Sequence, residues 1–293
     1  MSAIGSICLL GFGEVGQTLA EDLAGRKLTA WDILFADPTS KPSRALQTHQ
    51  VRAGANAVEA VKDADLVISA VTAAQDVAAA QSVAPGLKKG CFVLDLNSAS
   101  PEMKKSCARL ISAAGGRYVE AAVMAPISPK RIASSMLLGG PDAEAALPLL
   151  KDLGFAGVRF FSTETGQASA AKMCRSVMIK GIESLLTESL IAARHYGVEN
   201  TVLSSLSDLL PVGDWPKLAY YMISRSLEHG TRRAEEMREV ARTVSEAGLS
   251  PLLSSATAER QDWAAARRSA LEAATLPEML DRLLAQRAPK EGN

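Results

Sequence analysis

Apolar residues in the first part of the chain occur in short runs separated by longer amphipathic segments. This alternation is typical of a parallel sheet whose two faces are covered by helices. The predicted strands are residues 7–10, 66–70, 91–94, 118–123, 135–138 and 158–161. The predicted helices between them are residues 14–24, 73–84, 101–114 and 141–153. The pattern therefore predicts an α/β domain over residues 1–163.

After residue 163 the strand signal ends and a helical period continues, interrupted by glycine and proline. The first of these helices is unusually long, from about residue 166 to residue 196. Apolar or small residues recur along it at steps of three and four, so we expect one buried stripe. The stripe consists of Ala171, Cys174, Met178, Ile182, Leu185 and Ser189. We predict an all-α domain over residues 164–293.

The overall composition excludes several classes of partner. Across 293 residues, 32 basic side chains balance 32 acidic ones, so no net field attracts nucleic acid or an anionic membrane surface. No apolar run reaches the roughly 20 residues that a membrane-spanning helix needs. The N-terminal segment lacks the basic region of a signal peptide, so we expect a cytoplasmic protein.

The cysteines and histidines form no metal-binding or disulfide pattern. Cysteines at positions 8, 91, 107 and 174 make no C-x-x-C pair, and the histidines at 49, 195 and 229 are far apart in sequence. We therefore expect no metal site and no disulfide framework, which suits a reducing compartment.

A glycine-rich turn follows the first predicted strand and opens the first predicted helix. Its residues are Gly11, Phe12, Gly13, Glu14, Val15 and Gly16. The first glycine permits a tight turn, the second lets a pyrophosphate approach the backbone, and the third lets helix and strand pack closely. The phosphates would meet unpaired amides at the positive end of the helix. The turn therefore predicts that the first domain is a Rossmann-type dinucleotide-binding domain.

An acidic residue about 20 positions after such a turn accepts hydrogen bonds from a ribose. Asp32 has the better spacing, and Asp37, at the end of a longer apolar run, is the alternative. Either carboxylate would repel a ribose 2′-phosphate, which favours NAD over NADP as the cofactor. Lys41 and Arg44 follow closely and leave NADP open, although basic residues in such a loop are more often solvated.

Three further segments resemble the β-hydroxyacid dehydrogenases, the family that includes 6-phosphogluconate and 3-hydroxyisobutyrate dehydrogenases. Asp-Leu-Asn-Ser-Ala-Ser-Pro at 95–101 is similar to the family's strand-end segment beside the nicotinamide. Residues 120–140 lie where the family has its Asp-Ala-Pro-Val-Ser-Gly-Gly substrate loop. Gly-Gln-Ala-Ser-Ala-Ala-Lys at 166–172 is similar to the family's Gly-x-Gly-x-x-x-Lys segment. Together with the glycine turn, these motifs follow the family's order over the whole chain.

The resemblance implies roles for individual residues. Lys172 would be the general acid/base, and Val71 and Asn97 would complete the cofactor contacts. Neighbouring cations and the helix N-terminus should lower the pKa of Lys172 toward neutrality. By their own chemistry, Ser169 and Ser176 could hydrogen-bond a substrate hydroxyl, and Arg175 and Lys180 could hold a carboxylate or phosphate. Met124 completes the predicted substrate-binding set. Arg175 could equally pair with a carboxylate at the domain junction.

Several positions depart from the family pattern. Met124 stands where the family has a substrate-binding serine, Ala168 replaces a glycine, and Ser176 occupies the place of an asparagine. Glu235 and Glu236 fall near the Lys-Asp pair that is usual on a later helix. Because these changes lie in substrate-facing segments, the resemblance predicts the class of reaction better than it predicts the identity of the substrate.

We predict an NAD(P)-dependent dehydrogenase that acts on a CH–OH group and interconverts a small polar 3-hydroxy acid and its keto acid. Decarboxylation of the keto acid, as in some relatives, is left open. The alternatives are an imine reductase, whose relatives usually lack the lysine, and a protein that senses NAD(P) without turnover. The resemblance also implies a homodimer or larger homo-oligomer, with a second subunit often completing the substrate pocket.

Overall fold

The computed structural model describes residues 4–209 and 213–286, without the side chains of residues 207–209. The chain forms two compact units, which join between Met173 and Cys174. Over the described residues, the first unit contains a β-sheet with helices and the second contains helices alone. The predicted order of an α/β domain and an all-α domain is confirmed. The two units join inside the predicted long helix, and the division between residues 163 and 164 stays a prediction.

One mixed sheet forms the centre of the first unit. Its strands within the described residues are β1 (Ser6–Leu10), β2 (Lys27–Trp31), β3 (Arg52–Ala53), β4 (Leu66–Ser69), β5 (Phe92–Asp95), β6 (Arg117–Val123), β7 (Met136–Gly139) and β8 (Val158–Ser162). Their order in space is β3-β2-β1-β4-β5-β6-β7-β8. Neighbouring strands are parallel except for β6 and β7, which are antiparallel. The direction of winding therefore reverses between β1 and β4.

The α-helices of the described chain are numbered in sequence order. They are α1 (Glu14–Asp22), α2 (Lys41–Leu46), α3 (Ala57–Val61), α4 (Asp76–Val83), α5 (Pro101–Ala113), α6 (Ala143–Asp152), α7 (Gln167–His195), α8 (Glu199–Leu209), α9 (Trp215–Glu246), α10 (Leu252–Ala265) and α11 (Leu276–Ala285). Among these described helices, none has both the length and the apolar character to cross a membrane.

The central strands are mostly apolar because both faces of the sheet are covered. Along β1, Ile7 and Leu9 pack in the core on one face, and Cys8 and Leu10 pack in the core on the other. These four residues are at most 1% exposed. Such continuous apolar runs allowed six strands to be predicted, and they are confirmed. The strand β3 is exposed and two residues long, so no hydrophobic pattern indicated it.

Two predicted helices have different ends in the structure. The helix expected to begin at Pro141 begins at Ala143, because Gly140 adopts a φ of +111° and its carbonyl accepts a hydrogen bond from the Ala143 N–H in a preceding turn. The helix expected over residues 73–84 is the α-helix α4 between two short 3-10 helices.

The buried face of α7 differs from the predicted stripe. The exposed members of that stripe are Cys174, Met178, Leu185 and Ser189. Buried positions include Glu183 and Thr187 instead. Glu183 is paired with Arg233, and the Thr187 hydroxyl donates to the Glu183 carbonyl at 2.7 Å. The stripe was wrong because polar residues can be buried when they are paired, and a hydropathy pattern assigns such residues to the surface.

Candidate functional site

The carboxyl ends of β1, β4 and β5 lie side by side in the sheet. Open parallel sheets bind ligands in the crevice beyond the carboxyl ends of the strands, where the strand order reverses. The glycine turn follows β1, Val71 lies shortly after β4, and Asn97 lies shortly after β5. The predicted cofactor residues are therefore brought to the same end of neighbouring strands.

The three glycines of the turn differ in the space that surrounds them. Gly11 has a φ of +92°, and a Cβ atom on it would lie 2.5 Å from the carbonyl oxygen of Ala70. A Cβ atom on Gly16 would overlap the carbonyl of Gly11. A Cβ atom on Gly13 would meet no atom within 4 Å. The first and third glycines close the turn, and the second leaves the backbone open to a ligand, as a pyrophosphate requires.

The start of α1 is available to an anion. Gly13 is its N-cap, so no side chain caps the first amides of the helix. Uncovered amides at a helix N-terminus favour a phosphate group. Phe12 is fully buried and packs edge to face against Phe35 and His49, which anchors the turn in the core. The turn therefore has the uncapped helix start and the open backbone that the phosphates of a dinucleotide require.

Asp32 and Asp37 lie in different surroundings. Asp32 directly follows β2, and its carboxylate accepts hydrogen bonds from the N–H of Phe12 at 2.7 Å and of Leu34 at 2.9 Å. It therefore ties the end of β2 to the glycine turn. Residues 33–36 form a 3-10 helix rather than more strand, so Asp37 lies in an exposed turn, where it accepts hydrogen bonds from Thr39.

Asn97 joins the ends of β4 and β5. Its side-chain oxygen accepts a hydrogen bond from the Val71 N–H at 2.7 Å. Its amide nitrogen donates to Ser69 Oγ at 2.9 Å and to Asp76 Oδ1 at 2.7 Å. Asn97 and the backbone of Val71, both predicted cofactor residues, thus belong to one hydrogen-bonded bridge between two strand ends.

Lys104 is a buried cation next to this bridge. Its Nζ lies 2.6 Å from Asp95 Oδ1 and 3.2 Å from Asp76 Oδ2, and the Tyr118 hydroxyl donates to Asp95 Oδ2 at 2.6 Å. Burial opposes the charge of Lys104, but the two carboxylates outweigh it and raise its pKa. Burial and the charge of Asp95 raise the pKa of Asp76 to about 6. The sequence patterns indicated none of these charged residues as a group.

The same cluster brings together atoms that could ligate a metal. One such atom each from Asp76, Asp95 and Cys107 lies within 4.8 Å of the others. The ammonium of Lys104 already supplies a cation to both carboxylates. Burial raises the pKa of the Cys107 thiol, so the sulfur is held in its neutral form. We therefore assign no metal to this cluster.

Lys172 contacts the segment that follows β5. Its Nζ donates a hydrogen bond to Ser98 Oγ at 2.5 Å, across 74 residues of sequence. Both side chains are partly buried. Ser98 was not among the predicted site residues, although it lies in the segment that carries the family resemblance. Its contact with Lys172 depends on how α7 begins relative to β5, which no local pattern reveals.

Glu120 holds the first turn of α7, the helix that carries Lys172. Its Oε1 accepts hydrogen bonds from the N–H of Gly166 at 2.8 Å and of Ala168 at 3.0 Å. Glu120 is fully buried, and burial raises its pKa. A Cβ atom on Gly139 would overlap the Glu120 carboxyl, so the neighbouring strand provides space for it. The amides at the start of α7 favour a negative charge and oppose this rise in pKa, but burial outweighs them.

Two predicted substrate residues lie in the first unit. Met124 follows β6 and packs against a small cluster that includes Ala122, Leu137 and Ala168. Ser169 is buried, and its hydroxyl donates to the Gly166 carbonyl at 3.0 Å. The side chain of Ser169 therefore supports the first turn of α7.

The other three predicted substrate residues lie in the second unit. Arg175 is exposed and Ser176 is buried. Lys180 Nζ donates to Ser176 Oγ at 3.1 Å and lies 3.4 Å from Glu236 Oε2. Burial lowers the pKa of Lys180, and nearby Arg233 lowers it further against the opposing effect of Glu236. Ser176 and Lys180 therefore form a hydrogen-bonded pair on successive turns of α7.

Residues 6–160 match the family model of the NAD binding domain of 6-phosphogluconate dehydrogenase. Residues 193–264 match a domain of unknown function, DUF1932. A conserved hypothetical protein from Sinorhizobium meliloti 1021, known from its crystal structure, is 34% identical with a TM-score of 0.78, and the match covers 98% of each chain.

Two further relatives link the chain to 3-hydroxyacid dehydrogenases by similarity. The conserved protein MTH1747, described as structurally similar to 3-hydroxyacid dehydrogenases, is 29% identical with a TM-score of 0.70, over 88% of this chain and 96% of that one. The mitochondrial 3-hydroxyisobutyrate dehydrogenase of Drosophila melanogaster is 28% identical over 69% of this chain and 62% of its own length.

We predict that Gly13→Ala weakens the binding of NADH without destabilising the protein. The added methyl group meets no protein atom within 4 Å, and the φ of −75° at this position suits alanine. It would, however, stand where a pyrophosphate must approach the backbone. The dissociation constant from fluorescence titration should rise about tenfold, which corresponds to roughly 1.4 kcal/mol.

The matched control is Gly16→Ala, which should lower the melting temperature because its methyl group overlaps the Gly11 carbonyl. Equal NADH dissociation constants for the native protein and Gly13→Ala would contradict the assignment of the turn.

We also predict that Glu120→Gln removes a pH-dependent loss of stability. Because the pKa of Glu120 is raised above its usual 4.5, the folded state binds its proton more tightly than the unfolded chain. The free energy of unfolding should therefore fall as the pH rises from 4.5 through the folded pKa. Glutamine keeps an oxygen for the amides of α7 but does not ionise, so the free energy of unfolding of the variant should not show this fall with pH.

Urea unfolding of both proteins across this pH range measures the effect. Glu120→Ala serves as the comparison, because it leaves two buried N–H groups unpaired and should cost about 1–3 kcal/mol at every pH. Native and Glu120→Gln curves that stay parallel from acid to neutral pH would show that the carboxyl does not titrate as described.

Proposed function

Because the chain belongs to the 6-phosphogluconate and 3-hydroxyisobutyrate dehydrogenase family, we propose that it interconverts a small polar 3-hydroxy acid and its keto acid. Lys172 is the general acid/base in this proposal, and a nicotinamide dinucleotide is the cofactor. The observation that supports it most strongly is the hydrogen bond from Lys172 Nζ to Ser98 Oγ at 2.5 Å. This contact lies beyond the carboxyl end of β5, where the family resemblance expects the nicotinamide.

The reaction requires a hydride acceptor and a proton acceptor. A nicotinamide dinucleotide held by the glycine turn would supply the hydride acceptor for the carbon that bears the hydroxyl group. The hydroxyl proton passes to the unprotonated amine of Lys172 as the carbon–oxygen double bond forms. In the reverse direction the ammonium of Lys172 returns that proton to the oxygen. Ser98 accepts a hydrogen bond from the lysine and so restricts the direction of its Nζ.

The glycine turn and Asp32 are the proposed cofactor contacts. The backbone at residues 11–16 would hold the pyrophosphate, and the Asp32 carboxylate would accept hydrogen bonds from the ribose. Asp32 is preferred over Asp37 because it contacts the glycine turn through Phe12. NAD is preferred over NADP because this carboxylate would repel a 2′-phosphate. Lys41 and Arg44 are exposed on α2, where a solvated role suits them.

The charged side chains around Lys180 in the second unit favour the proposal of an acidic substrate. Lys180 lies with Arg232 and Arg233 near the carboxylates of Glu183 and Glu236. This group contains three basic and two acidic side chains, so it has one net positive charge.

We propose that Arg175 and Lys180 bind the substrate carboxylate. Ser169 and Ser176 form hydrogen bonds with the other polar groups of the substrate in this proposal. Met124 replaces the serine of relatives and would make this part of the substrate site less polar. The homodimer stays a prediction.

The cofactor assignment predicts a contrast between two aspartates. Asp32→Asn removes the charge that accepts from the ribose, so it should raise the dissociation constant of NADH about tenfold, the equivalent of one charge-assisted hydrogen bond. It should also narrow the preference for NADH over NADPH. Asp37→Asn is the matched control and should change neither value. If Asp37→Asn shows the loss and Asp32→Asn does not, the ribose contact belongs to Asp37.

The catalytic assignment predicts that Lys172→Met strongly lowers kcat and spares cofactor binding. Methionine keeps a long side chain without a group that exchanges protons, and loss of a general acid/base typically slows a reaction by about 10²–10⁴-fold. The measurement is a screen of 3-hydroxy acids with NAD and NADP, followed by kcat on the best substrate. Lys151→Met, at an exposed position of α6, is the control and should keep the native rate.

The outcomes separate the proposed function from its alternatives. Equal rates for the native protein and Lys172→Met would contradict the role of the lysine. Reduction of imines with no activity on hydroxy acids would favour an imine reductase. Tight NADH binding with no turnover of any substrate would favour a sensor. Release of carbon dioxide during hydroxy acid oxidation would add decarboxylation to the reaction.

A further inference from the structure

We infer that Lys104 and Asp76 are positioning residues that hold the segments following β4 and β5 in place around the nicotinamide half of the cofactor. They act through a group that we name the strand-end clamp, which consists of Asp76, Asp95, Asn97, Lys104 and Tyr118. The inference rests on the proposed function, because it assigns the clamp to the cofactor site named there. It concerns cofactor geometry rather than the chemical step.

The amide of Asn97 is the bridge of the clamp. Both of its donors are used inside the protein, toward Ser69 and Asp76, and its oxygen accepts from the Val71 N–H. A bonded amide of this kind has one orientation, and that orientation fixes the Val71 backbone relative to β5. The role of Asn97 is therefore to join two loops that line the crevice.

Asp76 and Lys104 hold this amide in place. Asp76 accepts from Asn97 through Oδ1 and from Lys104 through Oδ2, so it is bonded on both sides. Lys104 also donates to Asp95 Oδ1, which accepts in addition from the Asn97 N–H at 2.9 Å. The lysine thus connects the side chain and the backbone of the same asparagine through two different carboxylates.

The burial of these charges is not explained by stability, because it does not by itself raise the free energy of unfolding. Lys104, Asp76 and Asp95 are each at most 2% exposed. Well-packed apolar residues usually stabilise such a core as well as buried ion pairs do, because burial removes the hydration of each charge. What charged partners provide in addition is a single geometry with defined directions. That property matters at the end of β5, where the chain turns into the proposed site.

The clamp also reaches the proposed catalytic pair. Asn97 is directly followed by Ser98, whose hydroxyl accepts from Lys172. On the opposite side of β1, Asp32 follows β2 and meets the glycine turn. A dinucleotide that lies across the reversal between β1 and β4 has its adenosine on the β2 side and its nicotinamide on the β4 side. The clamp should therefore affect the nicotinamide half alone.

Two probes separate the halves of the cofactor. NADH contains the nicotinamide, and ADP-ribose lacks it while keeping the adenosine and both phosphates. In Lys104→Met the dissociation constant of NADH, measured by titration calorimetry, should rise about tenfold, and that of ADP-ribose should stay within about twofold. Lys105→Met, at an exposed neighbouring position paired with Glu102, is the control and should leave both constants unchanged.

The double variant Lys104→Met/Asp76→Asn distinguishes positioning from stability. It has the same net buried charge as the native protein, and the amide introduced by Asp76→Asn still offers an oxygen to Asn97. Its melting temperature should recover toward the native value, while the weakened NADH binding should remain because the connection through the lysine is lost. It also serves as the test if Lys104→Met alone does not fold.

Three results decide the inference. A selective loss of NADH affinity in either folded variant supports it. A native ratio of NADH to ADP-ribose affinity in a folded variant overturns the clamp and leaves the proposed function intact. A native protein that binds neither probe overturns the cofactor assignment and the clamp together.

Discussion

Lys104 carries its charge inside a unit whose sheet is covered mostly by apolar side chains on both faces. The desolvation of an isolated cation there would be very unfavourable, and Asp76 and Asp95 offset it by direct ion pairs. The carboxylates depend on the lysine in the same way, because two close negative charges repel each other. This mutual dependence fixes the segment after β5. The proposed role of Lys172 depends on this segment, because its partner Ser98 lies there.

The first amides of α1 and of α7 have different hydrogen-bond partners. At α1 the N-cap is Gly13, so the first amides are left for an anionic ligand. At α7 the carboxyl of Glu120 accepts from the amides of Gly166 and Ala168. The same physical property, the positive end of a helix, therefore serves binding in one place and attachment in the other. The attachment bears on the proposed catalytic role of Lys172, because this residue lies on the second turn of α7.

Much of the site could be predicted because its signals are local. Continuous apolar runs indicated the strands that are buried on both faces, and the spacing of Gly11, Gly13 and Gly16 indicated the turn after β1. The environment of Lys104 gave no such signal, because its carboxylate partners are 9 and 28 residues away in sequence. The stripe on α7 was wrong for a related reason. Glu183 is buried because Arg233, 50 residues later, is there to pair with it.

The sequence by itself determined the order of an α/β unit and a helical unit, the glycine turn and the position of Lys172 at the start of a long helix. These features depend on residue types at short fixed spacings, so each can be recognised within one segment. Only the tertiary structure decided that Asp32 rather than Asp37 contacts the turn, that Ser98 accepts from Lys172, and that a lysine balances two buried carboxylates. Such contacts depend on which strand ends become neighbours in the sheet, and that is set by packing between distant segments.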